Sequence, residues 1–227
     1  MVKLLKTVLR HTKGEKLMHR TEHNGEDLIF PFVSYQPEKK TEGKIPLIIQ
    51  LHGAGERGEG GEELSLVDVH GFSKTVKDGD FEAVFVMPQC PKNSFWAARV
   101  ESILKFIEQI KAEYGADEDR VYLTGLSMGG FGTWYTAMAR PDIFAAISPV
   151  CGGGMAWNAS VLTMPVWAFH GTSDTVVSVN QSDEMVEALK KAGRDITYSR
   201  IDGVGHNVWE YAYNEQLYNW LLSKKRK

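Results

Sequence analysis

Residues 121–134, VYLTGLSMGGFGTW, pass from an apolar run, Val121 to Thr124, through a glycine-rich turn into a helical stretch from Met128 to Ala139. A serine thrust out of a tight strand-to-helix turn needs small neighbours two residues away on either side. Gly125 and Gly129 supply them around Ser127, and Gly130 lets the helix lie close to a sheet. The first turn of the helix leaves N–H groups without intrahelical partners and carries a partial positive charge, which suits an oxyanion forming beside Ser127.

Outward from this turn the pattern alternates strand and helix. Ile45 to Leu51 (IPLIIQL) and Ala83 to Met87 (AVFVM) are nearly all apolar, as strands buried on both faces of a parallel sheet should be. Between Ala97 and Tyr114 apolar residues recur at helical spacing, and Gly115 supplies a stop. Downstream, Phe144 to Val150 and Val166 to His170 read as strands and Ser182 to Lys191 as a helix. Ile196 to Ile201 closes the set of strands, and Val208 to Leu222 reads as one aromatic-rich terminal helix. Only the opening differs: Lys16 to His23 and Asp27 to Tyr35 flank Asn24-Gly25, a strong hairpin signal. The pattern predicts an α/β domain over residues 1–227, a mostly parallel, doubly wound sheet with an N-terminal antiparallel hairpin, helices on both faces and its site at the carboxyl ends of the strands.

A serine alone is a weak nucleophile and needs a base and an orienting acid from later strand ends. Asp174 follows the strand ending at His170, and His206 lies in the glycine-containing loop 202–206 (DGVGH) before the terminal helix. The order Ser127, Asp174, His206 is the one used by folds of this topology. His170 reads as a structural hydrogen-bonder beside its turn, Asp202 as a less well-placed acid, and His52 as a brace for its loop. That loop, residues 51–58 (LHGAGERG), offers backbone N–H groups for a second oxyanion donor: Ala54, with Gly55 behind it, paired with the N–H of Met128. It lacks the Gly-Lys-Ser/Thr ending of a nucleotide-binding loop. Phe95 and Trp96 after one strand, and Met155 and Trp157 after another, are placed to reach the rim, with Trp96 foremost among them. Activity should fall as His206 is protonated, near the ordinary imidazole range.

Composition narrows the classes. Of 227 residues 43% are hydrophobic and 24% charged, and the net charge of -3 gives no basic field for nucleic acid. The Lys224–Lys227 run reads as a solvated tail, and no stretch resembles a membrane span or a cleavable leader. A cytoplasmic chain is expected from this, with secretion open if a leader has been trimmed. Cys90 and Cys151 form no framework, and no metal cluster is visible in the pattern.

The stretches LHGAGERG, VYLTGLSMGGFGTW, FAAISPVCGG, VWAFHGTSDTVV and GVGHNVW together resemble the α/β-hydrolase superfamily, and within it the phospholipase/carboxylesterase-like esterases often labelled predicted peptidases. The resemblance covers residues 45–222. It implies an eight-stranded sheet, a triad matching Ser127, Asp174 and His206, and ester hydrolysis without metal or organic cofactor. Many relatives insert a cap after the sixth strand, but residues 151–164 leave no room for one, which favours polar, bulky or polymer-attached esters. In the family's strand order Cys90 and Cys151 lie three strands apart, ~14 Å, too far for a disulfide. The resulting expectation is a carboxylesterase for short-chain or aromatic esters, including acyl groups on polysaccharide, working as monomer or homodimer with neither nucleic acid nor membrane as partner. A peptidase or thioesterase would use the same triad. A non-catalytic binding protein would be expected to have lost a triad member.

Overall fold

The computed structural model describes residues 18–25, 27–38, 43–77, 79 and 81–226. The expectations placed on Lys16 and Lys227 lie outside the described residues. The strands are β1 (Met18–His23), β2 (Phe32–Pro37), β3 (Ile45–Leu51), β4 (Val84–Pro88), β5 (Ala116–Leu126), β6 (Ala146–Val150), β7 (Val166–Gly171) and β8 (Ile196–Ile201). They form one sheet in the order β1-β2-β4-β3-β5-β6-β7-β8. β1 pairs antiparallel with β2 and β2 antiparallel with β4, and every later pairing is parallel.

The helices are α1 (Ser73–Val76), α2 (Val100–Tyr114), α3 (Met128–Ala139), α4 (Asn180–Lys191), α5 (Trp209–Ala212) and α6 (Glu215–Leu222). Strand periodicity divides the core in two. Leu47, Ile49 and Leu51 of β3, Val84 and Val86 of β4, and Val121 and Leu123 of β5 pack on α2, α3 and α4. Their alternates Ile48, Phe85, Met87 and Tyr122 pack with Trp167 and Phe169 against α1, α5 and α6. Both faces are covered, which is why the central strands carry no polar alternation. Among the described residues no helix is long and apolar enough to cross a membrane.

Several boundaries differ from the sequence reading. β5 begins at Ala116 rather than Val121, and residues 117–120 form an irregular stretch whose register shifts between Ile45 and Leu47 of the neighbouring strand. There Arg120 donates to the Asp117 carboxylate at 2.6 Å and to the Lys44 carbonyl at 3.0 Å. Polar pairing, not apolar burial, holds this segment, so hydrophobic patterning passes over it. The terminal helix expected as one piece is two. Asn214 interrupts it and caps α6, its side-chain oxygen accepting from the Gln216 and Leu217 N–H groups at 2.9 and 3.1 Å. α2 starts at Val100 after a 3-10 turn, Trp96–Ala98, and the connection from β6 to β7 contains a 3-10 turn, Ala156–Val161. Cys90 and Cys151 are both free and buried.

Candidate active site

Ser127 stands between β5 and α3 with φ 53° and ψ −117°, a conformation that L residues rarely adopt. Its N–H donates to the Val150 carbonyl at 2.9 Å, which ties the turn to β6. The glycines on either side are required by contact. A Cβ on Gly125 would strike the Gly129 carbonyl, and one on Gly129 would strike the carbonyls of Leu51 and His52. That close approach sets the 51–58 loop directly against the start of α3.

Asp174 and His206 arrive from the ends of β7 and β8 on loops that are laced together. Ser173 N–H donates to the Val204 carbonyl at 2.9 Å, and Thr172 Oγ1 both donates to Asp202 at 3.0 Å and accepts from Gly203 N–H at 2.8 Å. Asp202 is therefore engaged with Thr172. The acid that meets His206 is Asp174, whose Oδ2 lies 2.7 Å from His206 Nδ1, while His206 Nε2 lies 2.9 Å from Ser127 Oγ. A carboxylate can only accept, so Nδ1 carries the hydrogen and the Nε2 lone pair faces the Ser127 hydroxyl. Asp174 Oδ1 accepts from the Val176 and Val177 N–H groups, each at 2.9 Å. The Asp174 side chain is fully enclosed and that of His206 is 19% exposed. Burial pushes the Asp174 carboxyl up, but hydrogen bonds from His206 and the two amides outweigh it and hold the group below the ordinary carboxylate range.

The three residues named from the sequence thus come together. Ala54 and Gly55 lie exposed in a 3-10 turn, Ala54–Glu56, of the loop whose first residues, Leu51 and His52, meet Gly129 in the first turn of α3. His52 holds this loop from beneath. Its Nε2 accepts from the Cys90 N–H at 2.9 Å, so Nδ1 bears the hydrogen and donates to the Gly53 carbonyl at 2.6 Å. Burial pushes His52 down to about 4, so the ring is neutral near pH 7.

Trp96 is not at the rim. It is wholly buried, its indole N–H donates to the His52 carbonyl at 3.0 Å, and Gly132 of α3 leaves room for it. The 3-10 turn that begins at Trp96 swings the indole inward beneath the 51–58 loop, while its neighbour Phe95 stays 56% exposed. Met155 packs on the core, and Trp157 is 82% exposed. Sequence reasoning passed over Trp209, whose ring meets His206 edge-on at 5.3 Å, and the nearness of His170 to Asp174 at 3.2 Å.

Cys151, Asp174 and His206 place ligand-type atoms within 4.8 Å of one another. They make a poor metal set. Asp174 and His206 are spent on each other, and burial pushes the Cys151 thiol well above its usual value, so its sulfur stays protonated.

A family model described as phospholipase/carboxylesterase matches residues 81–218, more than half of the chain. The chain belongs to the phospholipase/carboxylesterase family. Ser127, Asp174 and His206 all fall inside the part that matches this family. Among relatives, it is 32% identical over 183 residues to the bifunctional acetylxylan esterase/xylanase XynS20E of Neocallimastix patriciarum, covering 77% of this chain and 26% of that protein. It is 27% identical over 222 residues to poly(3-hydroxyalkanoate) depolymerase C of Paucimonas lemoignei, covering 76% of this chain and 52% of that one. The chain therefore spans between about a quarter and a half of these curated relatives. A crystal structure of a thermostable esterase superposes with a TM-score of 0.74 at 29% identity, over 92% of this chain and 64% of that one.

Proposed function

We propose that this family member is a serine carboxylesterase. The observation that carries the reading is the unbroken contact from Ser127 Oγ through His206 to the enclosed Asp174, at 2.9 and 2.7 Å. In this scheme Ser127 Oγ attacks the ester carbonyl carbon while His206 Nε2 takes the hydroxyl proton. The carbonyl oxygen becomes an oxyanion that accepts from the backbone N–H groups of Met128 and Ala54. His206 then gives the proton to the departing alcohol, leaving an acyl-Ser127 ester. Water, deprotonated by His206, attacks that ester and frees the acid and the enzyme. The sequence needs neither metal nor organic cofactor.

Short-chain or aromatic acyl groups, including those borne on saccharides, are the proposed substrates. In support, XynS20E is named for acetylxylan, and a feruloyl esterase B of Talaromyces funiculosus is 43% identical over 51 residues. The short 151–164 connection leaves the mouth uncovered, which suits such bulky esters better than long lipid chains. Gly55 and Trp157 are the proposed substrate contacts, both being open to solvent at strand carboxyl ends.

The test is hydrolysis of p-nitrophenyl esters from two-carbon to twelve-carbon acyl chains by the wild type and by Ser127→Ala. Turnover is expected to peak at short chains, with Ser127→Ala at background. A wild type inactive on every ester overturns the reading and moves amides or thioesters ahead.

A further inference from the structure

Asp174 is not held by His206 and two amides alone. His170, at the end of β7, is fully enclosed, as is the Asp174 side chain, and its Nε2 stands 3.2 Å from Asp174 Oδ2 and 3.0 Å from the Val177 carbonyl oxygen. Its Nδ1 lies 2.7 Å from Ser182 Oγ on α4, and Ser182 Oγ lies 2.8 Å from the Gly152 carbonyl. Both oxygens facing Nε2 can only accept. A bare Nε2 would set its lone pair against a carbonyl and a carboxylate, two repulsive contacts in a dry interior, so Nε2 must carry the hydrogen. Burial pushes His170 below the ordinary imidazole value, which favours the neutral ring; the single Ser182 hydrogen then goes to Nδ1 and not to the Gly152 carbonyl, one oxygen–oxygen contact set against the two that a bare Nε2 would make.

We propose that His170 is a positioning residue for the acid of the triad: through its Nε2–H it grips Val177 and faces Asp174 Oδ2 with the positive end of its N–H dipole. The proposal rests on the esterase reading for its catalytic consequence, but not for its geometry. Val177 is the link. Its N–H holds Asp174 Oδ1 while its carbonyl is held by His170, so one histidine constrains both oxygens of the carboxylate that orients His206. The groups facing His206 are Asp174, the protonated Cys151 thiol, Ser127 and the Trp209 ring, with His170 acting through Asp174. Those facing His170 are Asp174, Ser182 and the Val177 carbonyl, with the charge of His206 reaching it from across Asp174.

The sign of the effect follows. The His170 N–H dipole drains negative potential from Asp174, so removing it leaves a more basic carboxylate and a more stable His206 imidazolium. Activity needs neutral His206, and the acid limb of the rate profile must move to higher pH.

The test combines three measurements. Nitrogen-15 NMR of the wild type should show His170 Nε2 at a protonated-type shift with a slowly exchanging hydrogen. In His170→Phe, the midpoint of the His206 titration followed by NMR should rise by about half a pH unit. The acid limb of kcat/KM should rise with it, and kcat should fall roughly tenfold at little change in KM. His170→Gln, which offers an N–H at the same depth, should recover most of both. An unprotonated Nε2 signal in the wild type overturns the proposal, even where His170→Phe does not fold. An unmoved His206 midpoint in folded His170→Phe overturns it as well. If the wild type hydrolyses no ester, the esterase reading fails on its own, while the His170 and His206 signals still decide the positioning role.

Discussion

At Ser127 a side chain with a Cβ is held at φ 53°, a position that costs about 1–3 kcal/mol for a non-glycine residue. The flanking turn supports that strain because Ser127 N–H is bonded to Val150 and Gly125 and Gly129 close the contact with β3. A consequence separates strain from chemistry. Ser127→Ala and Ser127→Gly both remove the nucleophile, but alanine keeps the strained Cβ and glycine does not. Glycine loses roughly 0.5–1 kcal/mol more backbone entropy on folding, which is less than the strain it relieves. Ser127→Gly is therefore expected to be more stable than Ser127→Ala by about 1 kcal/mol in urea unfolding. A glycine variant that unfolds first would show that the turn is relaxed at this position.

At the scale of elements, the break between α5 and α6 is a packing device. Asn214 leaves the helical region at φ −141° and ψ 176°, and its side chain satisfies two N–H groups at the start of α6. The turn sends Leu217 and Leu221 into the core against Phe85 and its neighbours. Asn214→Ala should cost about 1 kcal/mol, seen as a lower urea midpoint with an unchanged slope, and leave ester turnover within twofold because α6 lies beyond the loop that carries His206. An unchanged midpoint would mean that packing alone sets the break. Such a break is hard to see in a sequence where apolar residues continue at helical spacing through Tyr213, since capping is a matter of one side chain and not of period. β3, β7 and α3 were legible because unbroken apolar runs and a glycine turn leave few alternatives, and β8 because Ile196, Thr197, Tyr198 and Ile201 favour extended backbone. The approach of Ser127, Asp174 and His206 was legible because each follows a readable strand by a few residues. The inward turn of Trp96 was not, because the chain passes from extended backbone at Phe95 into a 3-10 turn at Trp96, and the sequence does not say which of the two side chains faces the core.

For the whole molecule, the buried histidines make folding itself depend on pH. His52 is enclosed, with Nδ1–H given to Gly53 and Nε2 accepting from Cys90, so a second proton has no place without breaking the bond that holds the 51–58 loop. Its folded value is about 4 against 6.5 when unfolded, burial being the main cause, with the Gly53 bond opposing and the Arg57 charge assisting. Above pH 6.5 the ring is neutral in both states and adds no pH dependence. Between 6.5 and about 4 the unfolded chain takes a proton that the folded chain refuses, and stability falls as pH falls. A difference of this size corresponds to about 3 kcal/mol over the window. At roughly 2–4 °C per kcal/mol for a chain of this length, Tm should drop by about 6–12 °C from pH 7 to pH 4. His170, lowered by burial, pulls the same way, and Asp174, held below its ordinary range, adds its loss only as pH falls further. Calorimetry across this range checks the account, with His52→Gln as the control. That variant should start less stable at pH 7, because the Cys90 and Gly53 bonds are reshaped, and its Tm should slope less steeply toward pH 4. A wild-type Tm that stays level between pH 7 and pH 4.5 would sink the account, because a neutral enclosed His52 cannot leave the folding equilibrium indifferent to a proton that only the unfolded chain can bind.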